Sequence, residues 1–95
     1  MPDYRENNDE MRPLKKDGVM EQEMDQELIL SDPGTGQIHV LNETTKVIWN
    51  LADGKHTLGE IEMEVRARFA GADRHDIRAD VEQAVITLKK KNLLK

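Results

Sequence analysis

Leu28-Ile29-Leu30-Ser31-Asp32-Pro33-Gly34-Thr35-Gly36-Gln37-Ile38-His39-Val40-Leu41 is the stretch on which the fold of this 95-residue chain turns. Two short apolar runs, rich in the β-branched residues that suit a pleated surface, flank a proline and two glycines. That composition reverses a chain into an antiparallel hairpin. Upstream, Val19-Met20 begins a further short apolar piece and predicts a first strand, although the acids and methionines of the following residues also have good helix propensity. Residues 1–14 show alternating charge and no apolar period. They are expected to form a disordered tail ahead of one domain over residues 15–95.

Downstream of Leu41 the apolar period lengthens from two to between three and four, the signature of helices. Asn42 is placed to cap a helix whose inner side is Val47, Ile48, Leu51 and Ala52, with Gly54 ending it. Trp49 lies part of a turn from that side and reads as an anchor at the edge of the core. Thr57-Leu58-Gly59-Glu60 has the spacing of a capping box, and Leu58, Ile61, Val65 and Phe69 make the stripe that follows, up to Gly71. Asp73 can cap a last helix with the stripe Ile77, Val81, Ala84, Val85 and Leu88. Lys89, Lys90 and Lys91 sit at its negative end, and Asn92 can turn Leu93 and Leu94 back. The order predicts an α+β, winged helix-turn-helix-like domain, a three-stranded antiparallel sheet followed by three helices.

Composition narrows what such a domain can do. The net charge is -5, and it is concentrated: Gly18 to Asp32 holds five acids and no base, while the rest is close to neutral. An acidic stretch repels phosphate backbones, which argues against nucleic acid as a partner. Apolar runs of three or four residues fall far short of the roughly 20 that a membrane span requires, so no membrane role is expected. The lack of cysteine removes disulfides, a thiol nucleophile and thiolate metal ligands, and is compatible with the cytoplasm. His39, His56 and His75 fall in separate elements with no ligand spacing, and Gly34 and Gly36 precede a strand rather than a helix. Neither an enzyme nor a bound metal or cofactor is expected.

Recognition by surfaces remains. A small sheet has edges whose unpaired amides and carbonyls can accept another strand, and Ile38 to Leu41 is the least charged of the three strands. With the last helix it is expected to form a groove that is apolar below and rimmed by Arg74, His75, Arg78 and Lys89 to Lys91. The same open edge permits self-association.

The run Leu41-Asn42-Glu43-Thr44-Thr45-Lys46-Val47-Ile48-Trp49-Asn50-Leu51-Ala52-Asp53-Gly54-Lys55-His56-Thr57-Leu58-Gly59-Glu60-Ile61 resembles the PqqD family. Its members read Leu-Asn, then Ile-Trp or Ile-Leu, an Asp-Gly turn, and Thr-x-x-Glu-Ile. Ile77-Arg78-Ala79-Asp80-Val81 and the closing Leu93-Leu94 are similar to that family's last helix and tail, so the resemblance spans about Gly18 to Leu94. It implies a peptide chaperone, or RiPP recognition element, that binds the leader segment of a ribosomally made precursor and presents it to a modifying enzyme such as a radical SAM protein. Pyrroloquinoline quinone is the product for the name-giving members. The Asp32-Pro33-Gly34-Thr35-Gly36 turn is longer than their Pro-Glu-Gly turn, so the resemblance bears on peptide binding more than on that product.

In the family the leader adds beside the third strand and lies against the third helix, here Gln37 to Leu41 and Asp76 to Leu88. The residues expected at the peptide are therefore Gln37, Ile38, His39, Val40, Leu41, Ile77, Arg78, Val81, Ala84 and Leu88. Arg78 would favour an acidic leader. The alternative from another class is a winged-helix DNA-binding regulator, with the last helix reading bases and the Gly34 to Gly36 turn as wing.

Overall fold

The hairpin forms with the expected pairing. In this computed structural model, which describes residues 11–69 and 77–95, β2 (Leu28–Asp32) runs antiparallel to β3 (Gln37–Leu41), with Leu28 opposite Leu41 and Leu30 opposite His39. Asp32 organises the reversal. Its main-chain carbonyl accepts from the Thr35 and Gly36 amides, and its carboxylate accepts from the Gly34 amide at 2.9 Å and from Lys16 Nζ at 2.7 Å. Gly36 takes φ +74°, the left-handed conformation that a residue with a Cβ adopts only under strain.

Residues alternate across a strand, so the register sorts the sheet into two faces. Leu28, Leu30 and Leu41 lie buried on the helix side, whereas Ile29, Ile38 and Val40 lie on the other. β1 (Met20–Glu23) pairs antiparallel with β2 and completes the order β1-β2-β3. Pairing with β2 along its whole length makes a strand of a segment with helical propensity. Glu21 and Glu23 share the helix-side face with Leu30 and Leu28, where Lys15 Nζ and Lys46 Nζ meet them at 3.3 and 3.5 Å.

The first two helices start where their caps place them. Asn42 Oδ1 accepts from the Thr45 amide at the head of α1 (Glu43–Leu51). Thr57 and Glu60 form both halves of the capping box at the head of α2 (Leu58–Arg68). α3 (Ile77–Lys90) buries Val81, Val85 and Leu88. The predicted Asp73 cap and Gly71 stop lie outside the described residues.

One core of aliphatic side chains closes around Trp49, which is fully buried rather than at the core edge, with Lys15 Nζ 5.1 Å from the ring centroid. Asn92, at φ 60°, turns the chain so that Leu93 and Leu94 fold back under α3. Residues 11–14, assigned by the sequence to the tail, are hydrogen-bonded into the domain. The amides of Leu58, Gly54 and Lys95 donate to the carbonyls of Met11, Pro13 and Leu14, and Lys15 and Lys16 continue the seam to Ala52 and Leu93. Such main-chain pairing leaves no apolar period for a sequence to display. Residues 1–10 lie outside the described residues.

Candidate functional site

β3 bonds to β2 on one side, and among the described residues no strand pairs with its other side. Its outward-pointing residues are strongly exposed, Ile38 at 68% and Val40 at 55%. The amides and carbonyls along this edge have no ladder partner, which makes it a template for an added strand.

Beside the end of β3 lies a cleft of about 440 Å³, walled by Val40 and Leu41, the start of α1 and one face of α3. Leu41, Ala84 and Leu88 supply its apolar floor; Leu41 and Leu88 are almost wholly buried and Ala84 half so. The wall from α3 continues through Asp80, Gln83, Thr87 and Lys91, and α1 contributes Thr44 and Thr45. Small and polar residues lining the mouth leave room for side chains entering from above.

The geometry divides the residues named from sequence. Gln37, Ile38, His39, Val40 and Leu41 form the open strand, and Ala84 and Leu88 line the cleft beside it. Val81 is buried in the core, and Ile77 is half-buried against it. Arg78 points elsewhere: its guanidinium lies 3.5 Å from Glu62 of α2 and 3.7 Å from Glu82. At about 100° per residue, position 78 stands roughly 160° around the helix from Asp80, so it cannot share the face of α3 that lines the cleft. Among the described residues, Lys91 is the member of the expected basic rim that lines the cleft, beside one acid, two amides and three hydroxyls. Arg74 and His75 lie outside the described residues.

Sequence reasoning placed Lys91 at the rim of this groove but missed Asp80, Gln83 and Thr87. Their signal was a polar stripe at spacings of three and four running beside the apolar stripe of α3. His39 lies on the helix-side face of β3, and its Nε2 is buried with no hydrogen-bond partner among the described residues.

A cluster of three or more His, Cys, Asp or Glu residues arranged to hold a metal ion does not occur among the described residues. No helix there is long and apolar enough to cross a membrane. The Asp53-His56 pair stands apart from the cleft. His56 Nδ1 lies 3.0 Å from both carboxylate oxygens, which holds the Asp53 carboxyl down to about 2 and raises His56.

Residues 27–94 match the family model described as coenzyme PQQ synthesis protein D (PqqD). Among solved structures, the chain is similar to one described as TbiB1 in complex with the TbiA(beta) leader peptide. The two share 26% sequence identity at a TM-score of 0.74, over 86% of this chain and 94% of that one. No curated protein sequence matches the chain.

Proposed function

Since the chain belongs to the PqqD family, we propose that it is a non-catalytic peptide chaperone, a RiPP recognition element that captures the leader segment of a ribosomally made precursor by strand addition. The observation that carries this is the juxtaposition of an unpaired β3 edge with an apolar-floored cleft. Main-chain bonds to Gln37, Ile38, His39, Val40 and Leu41 hold any extended segment, and the cleft over Ala84 and Leu88 supplies choice. That the similar TbiB1 was solved with a leader peptide supports the same class of ligand here.

Ordering a flexible leader costs entropy that the edge alone offsets poorly, so affinity requires both surfaces. The captured precursor is handed to a modifying enzyme such as a radical SAM protein, and pyrroloquinoline quinone biosynthesis is the pathway the family description suggests. Ribosomal precursors are met in the cytoplasm, where this reading locates the adaptor. An open edge also permits a second copy to pair there in the absence of peptide. DNA binding finds no support: the hairpin that would serve as a wing, Asp32 to Gln37, carries an acid and no base.

The test fills the cleft without touching the strand. Ala84→Trp should weaken binding of the precursor's leader at least about tenfold, the loss of one buried anchor, while the melting temperature stays near that of the wild type. Full affinity in a folded Ala84→Trp variant would remove the cleft from the mechanism.

A further inference from the structure

The two charged residues lining the cleft, Asp80 and Lys91, have opposite signs, and neither has an ion-pair partner among the described residues. Elsewhere, the bases that face the sheet and α2 are matched: Lys15, Lys16, Lys46 and Arg78 all have acidic neighbours. Asp80 stands in the first turn of α3 and Lys91 just past its last residue, positions that also complement the helix dipole. The dipole explains why each sign occurs at its end. It does not explain why both fall on the cleft-facing stripe, since neighbouring positions would serve it as well.

Eleven residue steps, ten of them within α3, separate the two by about 16 Å. In an extended guest, side chains entering the cleft are every second residue, and each residue advances the chain about 3.4 Å. A spacing of four therefore spans about 14 Å and a spacing of six about 20 Å, of which four is the closer match.

Resting on the strand-capture reading above, we infer that the cleft selects a captured segment bearing one basic and one acidic side chain four residues apart, the base toward Asp80 and the acid toward Lys91. The pair fixes which way the guest runs along β3. Strand addition alone provides no such choice, because an edge accepts main chain in either direction.

Selection from a displayed library of random twelve-residue peptides tests this, using the wild type and the D80K/K91D double variant. The wild type should enrich peptides with opposite charges four apart in one order. The double variant should enrich the reverse order and bind the wild-type winners about fivefold more weakly, as expected for partly exposed ion pairs turned repulsive. Charge-inverted copies of those peptides should recover the loss. Loss of stability in the double variant cannot by itself invert an order preference. Should that variant fail to fold, D80N should lose only the enrichment of the base and K91Q only that of the acid.

Winners without the charge pair, or an order unchanged by the substitutions, would overturn the inference even if those peptides shift the Ile38 to Leu41 amides. Winners that leave those amides unshifted would instead overturn the strand-capture reading, and this inference with it.

Discussion

At the scale of single residues, short side chains direct the backbone. Asp32 accepts from the Thr35 and Gly36 amides through its main-chain carbonyl and from the Gly34 amide through its carboxylate, which is kept below its ordinary range chiefly by the Lys16 hydrogen bond and pins the N-terminal segment to the hairpin. Asp53 does the same after α1, accepting from the amides of Lys55 and His56 and from the His56 ring. Linkage sets the pH range in which this second device acts. Because His56 is raised, its contribution is complete below the unfolded value near 6.5 and fades as pH climbs through the folded value. Because Asp53 is lowered to about 2, its contribution is complete above the unfolded value near 4 and fades as pH falls through 2. The pair is thus most effective between about pH 4 and 6.5. His56→Gln should lower the melting temperature most near the middle of that window and progressively less above neutrality. A deficit independent of pH would show that the ring acts only through packing. These turn residues were legible in part: Gly36, Gly54 and Asn92 stand where left-handed backbone is required. The two aspartates were not, because their role depends on where their amide donors end up.

At the scale of elements, the order of strands and helices was readable because each has a local cause. The β2-β3 pairing follows from two apolar runs about a Pro-Gly turn, and α2 follows from Thr57 and Glu60. Thr57→Ala removes one side of a complete capping box and should cost about 1 kcal/mol. Urea unfolding followed by the fluorescence of Trp49, which lies in α1, would show a lower midpoint with an unchanged slope. An unaltered midpoint would mean that the box contributes nothing beyond what water supplies. The direction of Arg78 was not readable. Sequence places it on α3, but only the packing of α2 against that helix reveals Glu62 as its neighbour. The polar stripe of Asp80, Gln83 and Thr87 was overlooked for the same reason, since a polar helix face reads as solvent-facing until a strand edge is known to lie beside it.

At the scale of the whole molecule, a short chain with few aromatic residues closes its core by pairing residues 14–16 with residues 93–95. The seam of main-chain bonds from Met11 to Lys16 ties the start of the domain to the turn after α1 and to Leu93 beneath α3. This places the helical layer on one face of the sheet, leaving β3 at the margin with α3 as the far wall of a cleft. Neither the seam nor the cleft has a sequence period, which is why the site was legible as a strand and a helix but not as a shape. The central claim is that β3 takes a guest strand. Its most direct test is amide hydrogen exchange of the full chain with and without the precursor's leader segment. Alternate amides between Gln37 and Leu41 should become protected on binding, as they acquire ladder partners, while those of β1 stay unchanged. A leader that binds tightly yet leaves exchange along β3 as it was would contradict the account.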